Sequence, residues 1–329
     1  MLRHYFIHFT RSLQRQRLFS LINVLGLTAG ITSSLLIYLY ASHEFSYDSF
    51  HPQAENIYRV NQTFIWGENN ESEFASTGPG VAYAVKEELP EVKLMTSIYT
   101  PGDQLISHTN EKKEVIMFDQ TNILAADSNF FEMFSFPLVI GNAASALRQA
   151  NSIVMTEQTA LKYFGDEEPI GKMVTMGSSE NQQTYEVTGV LKKLPSNTYL
   201  QFEMLVSMNS YPIIKKLYWS WVWTQLETYV RLDDKASLAA VREKLKAIPP
   251  KHAEATLQRT MNMSYADYIN SGKKWELFLQ PITGIHLPAK IVYNRLPNDG
   301  NLVIIYSLMG AAVFIILLSC VNFMNLSTA

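Results

Sequence analysis

The chain has 329 residues, a mean hydropathy of −0.03 and a formal net charge of −3, which is ordinary for a folded protein of about two domains. That charge argues against a nucleic-acid partner, which needs a basic face, and the single cysteine, Cys320, rules out an internal disulfide framework. The mean hydropathy averages two unlike parts, because two long apolar blocks near the ends enclose an ordinary polar middle.

Residues 1–17, MLRHYFIHFTRSLQRQR, place Leu2, Tyr5, Phe6, Phe9 and Leu13 at helical spacing, with Arg3, Arg11, Arg15 and Arg17 largely elsewhere around the wheel. This pattern predicts a basic amphipathic helix over 1–18 lying in the headgroup plane, as a topology anchor or as a helix that also touches a cytoplasmic partner. Phe19 to Ser42 follows with no Asp, Glu, Lys or Arg. At about 1.5 Å per residue it can cross an apolar layer about 30 Å thick, which predicts a first transmembrane helix. A cleaved signal peptide fits less well, since the run exceeds an h-region of about 7 to 15 residues. The arginines before it keep the N-terminus cytoplasmic and put residues 43–300 outside. Setting those four arginines aside leaves 23 Lys and Arg against 30 Asp and Glu, so the outer part is acidic.

His43, Glu44, Asp48 and His51 come next, but their spacing matches no zinc pattern and Pro52 interrupts any common helix face. Tyr58, Val60 and Phe64 alternate as a half-buried strand requires, so 57–65 is predicted as the first outer strand. Thr77-Gly78-Pro79-Gly80 opens a helix with Val81, Val85 and Leu89 on one stripe and Pro90 as its stop; Val92 to Thr100 alternates again. From 113 the chain changes character, with more strands and shorter helices. Asp127 is predicted to cap SNFFEMF, and Thr156 to cap EQTALKYF, which stops at Gly165. Strands are expected at 152–155, 172–176, 184–190 and 202–206.

In YWSWVWTQLETYVRL, Trp219, Trp221 and Trp223 fall on one face of an expected strand, as a core or interface face or as a platform for a sugar or hydrophobic cargo. Asp234 is expected to cap a helix with Leu238, Val241, Leu245 and Ile248 on one stripe, stopped by Pro249-Pro250; a further helix over 252–269 and a strand from Trp275 to Gln280 follow. Asn301 to Leu326 is again uncharged and predicts a second transmembrane helix. Two sets of strand, helix, strand thus flank the 113–206 block, which implies a two-part α+β unit with an inserted subdomain. The chain has no GxxxxGK[ST], HExxH, GxSxG or CxxC, so no catalytic, cofactor or metal set emerges. Small Gly26, Ala29 and Gly30 in the first span favour close helix approach.

NVLGLTAGITSSLLIYLY followed by SYDSFH (residues 46–51) and IYRV (57–60) resembles the opening of the FtsX-like, MacB-type permeases of ABC transporters. SIVMTEQTALKYFGDEEPIGKMV is similar to that family's external signature of strand and helix ending in FG and then P-x-G, and LLSCVNFMNLSTA to its second span with N-x-x-N. The resemblance implies an α+β extracytoplasmic domain between two transmembrane helices: a porter-like part over 50–112 and 212–290, with a mostly β sabre-like insert over 113–211. It marks Tyr47, Asp48, Phe50, His51, Tyr58, Arg59, Gly165, Pro169, Gly171, Asn322 and Asn325 as structural or coupling positions. It further implies a type VII permease subunit without ATPase activity of its own, with a separate cytoplasmic ATPase as partner. A second permease copy or second half, membrane lipid, and a periplasmic adaptor with an outer-membrane duct complete the expected surroundings. Family members carry further spans, so the expectation is that this chain is the first part of a longer protein, its cytoplasmic loop beginning at 327. The competing reading is a two-span sensor with a ligand-binding outer domain.

Overall fold

The computed structural model describes residues 17–65, 71–178, 182–288, 293–296 and 300–328; the amphipathic helix expected over 1–18 lies almost wholly outside them. The chain forms two compact units, one from its two ends and one from Tyr47 to Asp299.

The first unit is a pair of long helices, α1 (Arg17–Phe45) and, from the C-terminal end, Leu302–Thr328. Both contain apolar stretches long enough to span a membrane, Leu21–Phe45 and Leu302–Met324. Leu25, Leu36, Val303, Phe314 and Leu317 stand exposed along them, a surface that suits lipid and not water. The seam between them is made by small and polar side chains. The Ser34 hydroxyl donates to the Ala312 carbonyl at 2.9 Å, Asn322 approaches Gly26, and a Cβ on Gly30 would collide with the Ser319 hydroxyl. Only a glycine at 30 lets the two backbones come this close.

The second unit is built on one mixed sheet. Its strands are β1 (Ile57–Ile65), β2 (Glu71–Phe74), β3 (Val92–Tyr99), β4 (Gln104–Thr109), β5 (Val115–Gln120), β6 (Ile123–Ala126), β7 (Leu138–Gly141), β8 (Ser152–Thr156), β9 (Met173–Met176), β10 (Gln183–Leu191), β11 (Met204–Ser207), β12 (Leu226–Leu232) and β13 (Trp275–Pro281). The order β13-β1-β12-β3-β6-β11-β8-β10-β9-β4-β5 falls into two runs. The first four strands in that order come from the ends of the domain sequence and the rest from residues 104–207. Among the described residues the strands of the two runs pair with each other only at Ile98↔Ala126 and Tyr99↔Ala125 on β3 and β6. Most pairs are antiparallel, but β8 with β10 and β6 with β11 are parallel.

Helices α2 (Pro79–Glu88), α3 (Phe130–Met133), α4 (Glu157–Phe164), α5 (Pro212–Lys216), α6 (Leu238–His252), α7 (Glu254–Met261) and α8 (Tyr265–Asn270) cover the sheet, and the C-terminal span is α9. Strand alternation sorts side chains into cores. On one face a shared core joins both runs: Ile57 and Tyr229 from the first, Leu124, Val154 and Leu205 from the second, with Phe130, Phe134 and Phe136 packed on them. On the other face the core divides. Val60, Val230, Leu245 and Trp275 form one part under α2 and α6, while Ile153, Met155, Tyr163 and Val206 form another under α4.

Several local expectations change. Residues 217–225 are not a strand, and the three tryptophans do not share a face. Trp221 is buried edge-on to Trp275, Trp223 stacks on Tyr99, and Trp219 receives Arg259 over its ring. A close approach explains this: Gly78 and Gly80 leave room where Cβ atoms would strike Trp221, so the segment is pulled against α2 instead of extending. The cap residues also shift. Asp127 accepts from the Ser97 N–H at 2.8 Å instead of capping α3, and Ser237, not Asp234, accepts from Ala240 N–H at the start of α6. Asp234 instead accepts from the Asn56 amide. Pro249 and Pro250 do not stop α6, which runs to His252; near the helix end few hydrogen bonds are lost to them, and Pro249 is buried. Thr156 does cap α4 through the Thr159 N–H.

Candidate functional site

The residues after α1 turn sharply. Asp48 takes φ 54, a left-handed conformation that aspartate tolerates better than most side chains. The turn aims its carboxylate inward, where Oδ1 accepts from the Thr198 hydroxyl at 2.6 Å and both oxygens accept from the Tyr199 N–H at 3.2 and 3.1 Å. The Asp48 N–H donates to the Asn197 carbonyl at 2.9 Å. His51 is buried beside it, its Nε2 3.6 Å from Asp48 Oδ1, with Phe134 and Phe136 around its ring. Phe50 packs on the same ring, and Tyr47 stacks on His286 at 3.4 Å between centroids. The opening segment is thereby clamped to the loop between β10 and β11, in the second run of strands.

Arg59 carries the clamp onto the sheet. Its position on β1 faces Tyr229 on β12 and Gln280 on β13, and its guanidinium is fully buried. Nε donates to Asn61 at 3.0 Å, Nη1 to the Tyr199 hydroxyl at 3.2 Å and to Glu227 Oε2 at 3.3 Å, and Nη2 to Gln280 at 2.8 Å. Burial alone would lower the arginine pKa, but the charge of Glu227, together with smaller contributions from Tyr229 and Tyr199 and the hydrogen bond to Tyr199, more than offsets it, and the value ends above the ordinary one. Tyr229 also donates to Glu227, at 2.7 Å; burial first, and then the Glu227 charge, push its own pKa well up. Such a charge stays buried only because it is paired and hydrogen-bonded.

Tyr199 is the joint of this arrangement. Its N–H meets Asp48, its ring lies under Arg59, and its hydroxyl donates to the Leu296 carbonyl at 3.1 Å. One residue therefore touches the segment that opens the domain, its first strand, and the segment that closes it.

The motif residues are not all gathered here. Tyr47, Asp48, Phe50, His51 and Arg59 come together, whereas Tyr58 lies on the opposite face of β1 in the core under α2 and α6. Gly165, Pro169 and Gly171 form the turn from α4 to β9. Gly165 and Gly171 have φ of 58 and 77, and the Gly171 N–H donates to the Val187 carbonyl at 2.8 Å, so their chemistry is that of a backbone turn. Asn322 lies on α9 against Gly26, and Asn325 is on the same helix. Thr198, Tyr199, Glu227 and Gln280 were not anticipated from sequence. A buried Arg59 demands acceptors, but nothing in local spacing says which, since Tyr199 is 140 residues away. Among the described residues no group of three or more His, Cys, Asp or Glu could hold a metal.

The protein-family description "MacB-like periplasmic core domain" matches residues 20–248. Among solved structures, a domain of a protein assigned as a permease from Porphyromonas gingivalis is 24% identical with a TM-score of 0.57, over 78% of this chain and 98% of that one. The periplasmic region of MacB from Actinobacillus actinomycetemcomitans is 14% identical with a TM-score of 0.45, over 70% of this chain and 91% of that one. The extracellular domain of YknZ, a noncanonic ABC-type transporter from Gram-positive bacteria, is 16% identical with a TM-score of 0.41, over 68% and 100%. No curated protein matches the chain. The first of these structures has the same α+β fold, and the family match spans most of the chain between two apolar helices. The chain belongs to the family of MacB-like periplasmic core domain proteins.

Proposed function

We propose that this chain is the permease subunit of a type VII ABC transporter, which passes movement from a separate cytoplasmic ATPase through its spans to the outer domain. The carrying observation is the clamp of Asp48 on Thr198 and Tyr199, three residues after a helix long enough to span a membrane. Movement delivered at the start of the outer domain spreads through it only if that start is held firmly to the rest, and a buried carboxylate with three hydrogen bonds holds it so. In this reading the N-terminus is cytoplasmic, the protein sits in a bacterial inner membrane and the domain works in the periplasm. The β3 to β6 junction divides it into a porter-like part and a sabre-like part, and Asn322 and Asn325 lie at the cytoplasmic end of α9. A second copy or second half, and an adaptor with an outer duct, would complete a machine for export or lipoprotein extraction.

The test uses the full protein copurified with its ATPase and a fluorescent label pair placed across the outer domain. ATP should change the label distance, and a flexible Gly-Ser insert between Ser42 and Ile57 should abolish that change while ATP hydrolysis continues. An unchanged response in the insert variant refutes the rod, and failure of any ATPase to associate in mild detergent refutes the permease reading.

A further inference from the structure

Where the core divides on one face of the sheet, a cleft of about 310 Å³ opens over β3. One side is α2, with Pro79, Tyr83 and Lys86; the other is α5 and the short turn before it, with Met208, Ile214 and Lys215. The floor holds Met95 and Ser97 of β3, Leu226 of β12, and Asp127 and Asn129 from the turn before α3. Its walls thus come from both strand runs. The volume lies at the lower end of the range usual for small-ligand sites.

The polar groups in it are only partly used by the protein. Asp127 is half-buried and accepts the Ser97 N–H through Oδ2; Oδ1 makes no hydrogen bond to the described residues. Asn129 donates its amide to the Met95 carbonyl at 2.7 Å. Because a carbonyl can only accept, that bond fixes the amide orientation, and it leaves Asn129 Oδ1 buried without a partner. A buried acceptor without a donor is costly, so two residues lining the cleft, Asp127 and Asn129, each keep an acceptor oxygen that no described residue serves. Burial raises the Asp127 pKa, and the Ser97 N–H and the charges of Lys215 and Lys86 only partly oppose this. Those two lysines are exposed and neither forms an ion pair within 4 Å among the described residues, Lys215 only donating to Asn209 at 2.9 Å. Two cations at the rim over one carboxylate at the floor leave a positive balance that suits an anionic group. Ile214, Met208 and Leu226 are buried and apolar.

We infer that this cleft binds a zwitterionic ligand of the amino-acid or short-peptide class, with its ammonium group on Asp127 and Asn129, its carboxylate toward Lys86 and Lys215, and its apolar body against Met95 and Ile214. An ammonium supplies the donors that the floor lacks, and a carboxylate answers the rim. Because the walls belong to different strand runs, an occupied cleft touches both, beside the point where Leu226 of β12 and Tyr99 of β3 reach the core under α4. The inference does not depend on the transport reading, since it concerns binding alone.

The experiment titrates the full chain in detergent micelles with L-leucyl-L-leucine by calorimetry. The comparison ligands are N-acetyl-leucyl-leucine, which has no ammonium, and leucyl-leucinamide, which has no carboxylate. Saturable binding of the dipeptide is expected, each blocked analogue being about tenfold weaker or more, as loss of a charge-assisted bond implies. Asp127→Asn, which keeps an acceptor for the Ser97 N–H, should weaken the dipeptide about tenfold and leave the acetylated analogue unchanged. The exposed pair Lys86→Met and Lys215→Met together should weaken the dipeptide but not the amide, and this pair decides the matter if Asp127→Asn fails to fold. No saturable binding of the dipeptide at millimolar concentration overturns the inference. So does equal affinity for the acetylated form, or full affinity after both sets of substitutions.

Discussion

The clamp around Arg59 and the cleft around Asp127 both place carboxylates on the same sheet, and they treat them in opposite ways. In the clamp, Asp48 and Glu227 are buried to within 1% and 2% exposure, and their partners are protein groups: Thr198, Tyr199, Arg59 and Tyr229. In the cleft, Asp127 is half-buried, keeps one oxygen without a hydrogen-bond donor, and stands near two lysines that do not pair with it. A charge withdrawn fully from water must be answered inside the protein, which makes the clamp rigid and chemically spent. A charge withdrawn halfway can be left for something else to answer. The comparison separates a group that holds the fold from a group that is free to bind.

The largest effect should come from Glu227→Ala, which leaves the Arg59 guanidinium buried without its counter-charge. A loss of about 3–5 kcal/mol is expected, read from the denaturant midpoint of the outer domain; a loss below about 1 kcal/mol would mean that the guanidinium is re-solvated and that the clamp is loose. Next, Asp48→Ala removes the acceptor for the Thr198 hydroxyl and the Tyr199 N–H. It should cost about 1.5–3 kcal/mol by the same measurement, and the two substitutions together should fall short of additive, because Tyr199 belongs to both parts of the network. Strict additivity would split the clamp into two unrelated sites.

The smallest effect separates the cleft from the clamp. The Asp127 pKa is raised in the folded chain, so the folded state binds protons more tightly than the unfolded one just above the ordinary aspartate value of 3.8. Stability contributed by this group is therefore present at low pH and lost as pH rises through the folded value. Asp127→Asn should flatten that part of the pH profile and leave the chain no less stable at neutrality, measured as the melting temperature at a series of pH values. A clear destabilisation at neutral pH would place Asp127 with Asp48 and Glu227 as a group that holds the fold.

Much of the outer domain was readable because its signals are local. The Thr156 cap, the stop of α4 at Gly165 and the stripe on α6 each depend on residues a few positions apart, whereas β1, expected to be half-buried, is buried on both faces because β12 and β13 flank it and cores lie on either side of the sheet. Cap assignments failed where two polar residues competed for one helix start. Asp127 and Ser128-Asn129 are adjacent, as are Asp234 and Ser237 nearly so, and the choice was made by a distant donor, Ser97 in one case and Asn56 in the other. The tryptophan segment failed for a related reason. Its alternation is real, but two glycines in 78–80 offer a closer packing site than an extended strand would.

The sequence by itself determined the two apolar helices, since about 20 consecutive uncharged residues admit few other solutions, and it marked SYDSFH and IYRV as special through resemblance. Only the tertiary structure decided what those motifs do, by bringing Asp48 to Thr198 and Tyr199, Arg59 to Glu227, and Asp127 to a cleft between two strand runs. The physical reason is distance along the chain. A buried charge requires a partner but does not name one, and the partner is chosen by which strands pair, a choice that is global and leaves no mark in local spacing.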